Sequence, residues 1–388
     1  MEFMMKTSCT RRQFIYAAGA AAASAWLNPP AAAFARTAPT APVAIGRCWE
    51  YGADVLPTLR TMFDQLGGLE RLVKGKTVAI KINLTGLANY RLKFTQPELT
   101  HWTHPDVIAA TVHWMGRAGA RRIRLLESPM STAEDLEEFM LAANWEPQEF
   151  LSAAPRVEFE NTNYLGKGRK YSRFWVPGGG LMYKGYDLNH SYEDCDVFVS
   201  IAKLKEHTTA GITLSMKNCF GITPCTIYGE EAGVDEPSLV PRGGRGMFHS
   251  GHRQPSRSAP QQVDPNAPKE AGYRVPRVVA DLVAARPVHL AIIDGIQTMS
   301  GGEGPWATGR RELRPGLLIA GTNCVTTDAV AMALMGFDPM ADRGTPPFET
   351  CDSTLRLAEQ LGVGARDLRQ IEVLGVPIAE ATCKFRDA

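Results

Sequence analysis

Short apolar runs bounded by polar residues alternate along this chain with longer stretches whose apolar positions recur at helical spacing. That rhythm predicts an α/β fold. Val43–Cys48, Thr77–Asn83, Arg122–Glu127, Val157–Glu160, Asp196–Ala202, His289–Asp294, Leu317–Gly321 and Ile371–Leu374 read as strands. Val55–Leu66, Pro105–Ala118, Ala133–Ala143, Thr208–Asn218, Arg277–Ala285, Cys324–Met335 and Ser353–Leu361 read as helices. Pro105 suits a first helical position, where its missing N–H is no loss, and Gly119, Gly221 and Gly336 suit helix ends. The expected architecture is a largely parallel sheet covered by helices on both faces.

Two stretches break the rhythm. Asn161–Asp194 carries Gly178-Gly179-Gly180 amid Tyr, Phe and Trp, which reads as a β-rich excursion. Gly229–Gly272 is dense in Gly, Pro, Ser and Gln and far longer than an ordinary connection. It is expected to be a surface insertion, either lying over a site or disordered.

The segment before the first strand has a different pattern. Thr10-Arg11-Arg12-Gln13-Phe14-Ile15 is followed by an uncharged Ala-rich run and by Ala33-Phe34-Ala35, the three parts of a twin-arginine export signal. The apolar run Phe14–Leu27 is poor in Leu and short of the roughly 20 residues that cross a bilayer. A cleaved signal over residues 1–35 is therefore expected rather than a stable membrane anchor. Residues 36–388 would form a single exported α/β domain with its insertion at 229–272. The translocase would be a partner during export, and the mature protein would be periplasmic or extracellular.

Removing the signal takes away Lys6, Arg11, Arg12 and Glu2, so that 42 basic and 41 acidic residues become 39 and 40. A near-neutral chain without a concentrated basic patch gives no support to nucleic-acid binding. Eight cysteines less Cys9 leave seven, an odd number, so at least one stays unpaired, binds something or pairs between chains. Their spacing contains no C-x-x-C, hence no built-in iron–sulfur motif.

Ligands of open α/β sheets bind beyond the carboxyl ends of the strands, and polar residues concentrate there. Val78-Ala79-Ile80 runs into Lys81 and Asn83, Ile123–Leu126 into Glu127 and Ser128, and Val197–Ala202 into Lys203, Lys205 and His207. Leu290–Ile293 runs into Asp294 and Leu317–Gly321 into Asn323, while a Gly-rich loop adds Glu303. Single strand ends are polar wherever they meet solvent; it is the concentration on one rim that marks a site. Lys203, Lys205 and Lys217 suit a small anionic ligand, held as point charges, and a desolvated lysine among them could serve as a base or form a Schiff base. His207 would shuttle a proton or orient a lysine. Asp294 and Glu303 would act as acid/base groups or, with Asp328, as hard oxygen ligands for a divalent metal such as Mg²⁺ or Mn²⁺. Lys81, Asn83 and Asn218 complete the rim as cofactor-binding candidates. Asp328 has an alternative role as a helix N-terminal carboxylate. Metalloprotease H-E-x-x-H, hydrolase G-x-S-x-G and dinucleotide patterns in their proper context are missing.

The same segments resemble the family termed domain of unknown function 362. The resemblance lies in Ile201-Ala202-Lys203-Leu204-Lys205-Glu206-His207, Thr213 to Gly221, Asp294-Gly295-Ile296 with Gly302 to Trp306, and Thr327-Asp328-Ala329-Val330-Ala331 with Met335 to Pro339. It extends over roughly Gly75 to Gly375. Some relatives carry a ferredoxin-like four-cysteine segment, which this chain lacks, and membership does not imply one activity. Three readings stay open: an exported enzyme acting on a small anion, a non-catalytic solute- or cofactor-binding protein, and a redox accessory protein.

Overall fold

A computed structural model describes residues 38–130 and 132–386, so the expected export signal lies outside the described residues. The strands in chain order are β1 (Val43–Arg47), β2 (Thr77–Lys81), β3 (Arg122–Glu127), β4 (Val157–Asn161), β5 (Ser172–Trp175), β6 (Gly185–Leu188) and β7 (Val197–Lys203). They continue as β8 (Glu206–His207), β9 (Gly211–Ile212), β10 (Leu290–Gly295), β11 (Thr298–Ser300), β12 (Arg311–Leu313), β13 (Leu317–Gly321) and β14 (Val373–Gly375). Eight of them form one sheet in the order β14-β1-β13-β10-β7-β2-β3-β4, and β5-β6, β8-β9 and β11-β12 are two-stranded ribbons.

Every residue of β2, β7, β10 and β13 is buried, which is why these strands read as continuous apolar runs rather than alternating ones. Alternate side chains supply opposite faces. Val78, Ile80, Val199 and Ile292 pack with the helices Val55–Gln65, Pro105–Arg117, Leu136–Ala142 and Pro147–Ala153. Ala79, Phe198 and Ile293 pack with Ala271–Ala285, Cys324–Leu334 and Thr354–Gln360. The parallel sheet with helices on both faces is thus the observed fold.

One strand runs against the rest. β13 is antiparallel to both of its neighbours, β10 and β1, whereas β10-β7-β2-β3-β4 and β1-β14 pair in parallel. The chain between β10 and β13 returns through the β11-β12 ribbon with no crossover helix, and a hairpin-like return reverses direction. Asn323, expected on the ligand rim, therefore stands at the opposite edge. There its side chain accepts the Val325 and Thr326 N–H groups, at 2.9 and 3.1 Å, and caps Cys324–Leu334.

Local departures from the expected elements have identifiable causes. The expected helix over Thr208–Asn218 is instead the β8-β9 ribbon followed by a short helix, Leu214–Asn218. Gly211 (φ 71°) and Leu214 (φ 42°) lie in the left-handed region and interrupt it. The helix expected from Arg277 begins at Ala271 and runs through Pro276. The Gly272 carbonyl that Pro276 cannot bond is taken by the Asp352 N–H at 2.9 Å, so the break that a proline normally makes is avoided. In the excursion before β6, a Cβ on Gly180 would lie 2.0 Å from the Tyr183 carbonyl oxygen, so the turn requires glycine.

The 229–272 segment is more than a surface insertion. Its short helix Met247–Ser250 drives Met247 and Phe248 into the core, where the Phe248 ring meets Tyr183, Tyr186, Phe220 and Tyr228. Among the described residues no helix is long and apolar enough to cross a membrane.

Candidate functional site

At the carboxyl ends of β2, β3 and β7 the chain encloses a cavity of about 850 Å³. Lys81 and Asn83 reach it from the end of β2, Glu127 and Ser128 from β3, and Lys205 and His207 from beyond β7. Lys217 and Asn218 come from the short helix, Glu303 and Trp306 from the loop after β11, and Arg245 and His249 from the 229–272 segment. Tyr90, Arg91, Met130 and Phe220 complete walls that are aromatic as well as charged. A volume of this order suits a ligand with an apolar body.

Lys81 is buried and ion-paired with Glu127 at 2.5 Å, and it also donates to the Ile82 carbonyl at 2.6 Å and Asn218 Oδ1 at 3.3 Å. Burial lowers its pKa while Glu127 opposes the shift. The Glu127 carboxylate additionally accepts the Leu84 and Ser128 N–H groups, each at 2.8 Å. Asn218 is a brace: its Nδ2 donates to the Lys81 carbonyl, Ser200 Oγ and the Ile201 carbonyl, while its Oδ1 accepts from Asn83 at 3.0 Å. Lys205 has its three N–H groups on neutral oxygens, Asn83 Oδ1 (3.2 Å) and the carbonyls of His101 (2.6 Å) and Glu303 (3.0 Å). Burial pushes its pKa well down, against the pull of Glu303 and with the help of Lys217.

Glu303 accepts the Thr208 N–H at 2.9 Å, Thr208 Oγ1 at 3.0 Å and the Trp306 indole N–H at 2.8 Å. Burial alone would raise its pKa, but nearby His207 and these donors outweigh it and hold the carboxyl at about 2, so it is ionised. The loop that presents it needs glycine: Gly302 has φ 143°, and a Cβ there would meet the Ala307 methyl at 2.4 Å. His207 Nδ1 accepts the Thr209 N–H at 3.1 Å, which leaves the proton of the neutral ring on Nε2. Burial first, then Lys217, push its pKa well below the usual histidine range.

Lys217 differs from the other two cavity lysines. Among the described residues its ammonium has no hydrogen-bond or ion-pair partner; it stands 4.0 Å from the centre of the Phe220 ring and faces the cavity. Burial, reinforced by Arg245 and Lys81 against the pull of Glu303, lowers its pKa to about 7. Arg245 likewise has no carboxylate partner: Nε donates to Thr223, and Nη2 to Ser128 Oγ at 2.6 Å and Asn163 Oδ1 at 3.2 Å. Lys81, Lys205, Lys217, Arg91 and Arg245 thus face only Glu127 and Glu303 as fixed negative charges on the lining.

Seven of the expected site residues, Lys81, Asn83, Lys205, His207, Lys217, Asn218 and Glu303, line this cavity. Lys203, Asp294 and Asp328 do not. Lys203 and Asp294 are cross-strand partners on β7 and β10, fully buried and ion-paired at 2.9 Å. Lys203 points to the face of Val199 and Ile201, where its remaining N–H groups reach Tyr51 Oη and the Glu98 carbonyl. Asp294 accepts from Tyr51 Oη, the His104 N–H and the Ile296 N–H as well. Asp328 sits on Cys324–Leu334 and accepts Ser215 N–H (2.9 Å), Ser215 Oγ (2.5 Å) and Met216 N–H (2.9 Å), anchoring the start of the short helix. Burial prevails over those donors and raises its pKa to about 7. The expected metal trio Asp294, Glu303 and Asp328 is thus dispersed over three environments. Among the described residues no group of three or more His, Cys, Asp or Glu side chains is arranged to hold a metal ion.

Arg245, Tyr90 and Arg91 escaped the sequence reading. Arg245 lies in a segment whose composition has no period; the only local sign is an arginine set among glycines at Gly243-Gly244-Arg245-Gly246. The seven cysteines from Cys48 to Cys383 are all free thiols, and only Cys225 reaches the cavity wall.

Fold and site together define an α/β protein with a lysine-rich cavity at the carboxyl edge of its sheet. The chain belongs to the family described as domain of unknown function (DUF362), which matches residues 78–333. A thylakoid-associated protein of Synechocystis sp. is 24% identical over 299 residues, 76% of this chain and 75% of that relative. Among solved structures, the lactate racemase apoprotein from Thermoanaerobacterium thermosaccharolyticum aligns with a TM-score of 0.32 and 10% identity over 70% of this chain. A protein from Thermotoga maritima aligns with a TM-score of 0.32 and 14% identity over 68%. The chain spans only 54% and 56% of those two chains, and neither likeness bears on the chemistry.

Proposed function

We propose that the cavity is the working site of an enzyme acting on a small organic anion with an apolar or aromatic body. The observation that carries this reading is the Lys217 ammonium, which among the described residues has no hydrogen-bond or ion-pair partner and shares the cavity with Arg245, a cation whose hydrogen bonds among those residues go to neutral groups. Cations shielded from solvent are ordinarily paired, and two half-buried ones that have no carboxylate partner among the described residues of one cavity are arranged for negative charge that arrives with a ligand. Trp306, Tyr90 and Phe220 supply flat apolar surface for the rest of the molecule. Calorimetry with a panel of aromatic and aliphatic carboxylates and phosphates tests the reading. Binding should weaken at least about tenfold, or ~1.4 kcal/mol, in Arg245→Met. Absence of any anion binding to the wild-type protein would defeat it.

We further propose that the protein is exported in folded form through the twin-arginine translocase and acts outside the cytoplasm. The signal at Thr10–Ile15 and Ala33–Ala35 supports this, as does the free state of all seven thiols, which suits a fold completed in a reducing compartment.

A further inference from the structure

The cavity contains one group whose chemistry exceeds binding. Lys81 and Lys205 have their three N–H groups committed to protein oxygens, at distances of 2.5 to 3.3 Å. Such lysines are fixed in place and cannot turn a nitrogen lone pair toward a ligand. Lys217 is placed otherwise, with its nitrogen uncommitted, set over the Phe220 ring and open to the cavity. An ammonium used only as a charge gains from hydrogen-bonding partners, and their lack here leaves the nitrogen free to form a bond.

We propose that Lys217 is a nucleophilic amine that condenses with a carbonyl group of the ligand, so that the substrate class is a carbonyl-bearing organic anion such as an aromatic 2-oxo carboxylate. This rests on the reading of the cavity as an anion site. Arg245 presents Nη1 with no partner among the described residues and serves the carboxylate. His207, with its ring proton on Nε2, offers a donor to the carbonyl oxygen. The neutral amine adds to the carbonyl carbon, forming the C–N bond of a carbinolamine. Both amine protons end on the former carbonyl oxygen, which departs as water as the C=N bond forms, and the imine nitrogen takes one proton from solvent. No electrons are exchanged with an outside reagent. At neutral pH a fraction of the Lys217 side chain is already the free amine, because burial beside Arg245 and Lys81 brings its pKa to about 7.

The test is reductive trapping. Full-length mature protein is incubated with phenylpyruvate and cyanoborohydride, digested, and each lysine peptide is quantified by mass spectrometry; binding of 3-phenylpropionate, which has no carbonyl, is measured separately by calorimetry. The adduct is expected at Lys217, with its rate rising as pH passes through about 7 and falling when 3-phenylpropionate competes. Lys217→Arg should lose the adduct while it still binds 3-phenylpropionate, which shows that the cavity remains folded. If the wild-type protein binds 3-phenylpropionate but Lys217 is labelled no faster than surface lysines, the imine assignment is wrong and the anion site stands. Labelling of Lys217 that 3-phenylpropionate does not suppress, although it binds, also refutes the assignment. If neither 3-phenylpropionate nor the rest of the panel binds, the anion site itself fails.

Discussion

Replacing Lys203 by methionine separates the buried, ion-paired lysine from Lys217, the one that faces the cavity. In the folded protein Asp294 accepts from Lys203, Tyr51, His104 and Ile296, and both members of the ion pair are entirely buried. Methionine fills the space of the lysine stem but leaves the carboxylate with three neutral donors and no countercharge, and it strips a donor from the Glu98 carbonyl. Breaking a buried pair from one side costs roughly 3–5 kcal/mol. Lys217→Met loses no partner and relieves crowding with Arg245 and Lys81, so its stability should be unchanged or raised. Urea unfolding followed by circular dichroism gives both values from the midpoint shift multiplied by the slope. Adding Asp294→Leu to Lys203→Met should recover much of the loss, and the double-mutant cycle measures the coupling directly. A Lys203→Met loss below about 1 kcal/mol, the scale of a surface pair, or equal losses in the two lysine variants, would show that this division of roles is mistaken.

Lys217 should also leave a mark on the pH dependence of stability: its folded pKa lies below its unfolded one, so the unfolded state binds more protons between about 7 and 10.5. Wild-type stability relative to Lys217→Met should therefore rise over that window and be flat below it, as checked by urea titrations at several pH values. Asp328→Asn places an amide N–H among donors from Ser215 and Met216, and should cost roughly 1–3 kcal/mol in the same assay. Thiol titration of the mature protein in denaturant without reductant should count seven reactive cysteines; fewer would reveal a disulfide. Replacing Arg11 and Arg12 together by lysine should hold the precursor in the cytoplasm, followed by fractionation and blotting.

The strands were readable because the buried ones are near-continuous apolar runs, as in Val197–Ala202, and the rim was readable because strand direction decides where polar residues collect. The same rule failed for Asn323, since nothing in Leu317–Gly321 signals that the chain returns by a ribbon and reverses the strand. Lys203 and Lys205 look alike in sequence and stand two residues apart; Tyr51 and Glu98, from distant segments, enclose one while the cavity reaches the other. Asp294 and Asp328 were credible metal ligands by type alone, and only the donors around them show that their oxygens are already engaged. Arg245 lies where composition has no period, so no pattern could place it.

The reversed strand has a consequence for biosynthesis. β1 pairs only with β13 and β14, through Gly321 to Leu317 on one side and Val373 to Gly375 on the other. A ribosome makes β1 early and its partners late, so residues 43–47 must wait as an unpaired, apolar segment through most of translation. The strands β7, β2, β3 and β4 can pair beforehand, but the sheet is complete only when residue 375 has emerged. Closing so long a loop is slow, and the waiting segment is a site for chaperone capture or for mispairing between nascent chains. Ribosomes stalled before and after residue 321 should differ sharply in the protease resistance of the first strand.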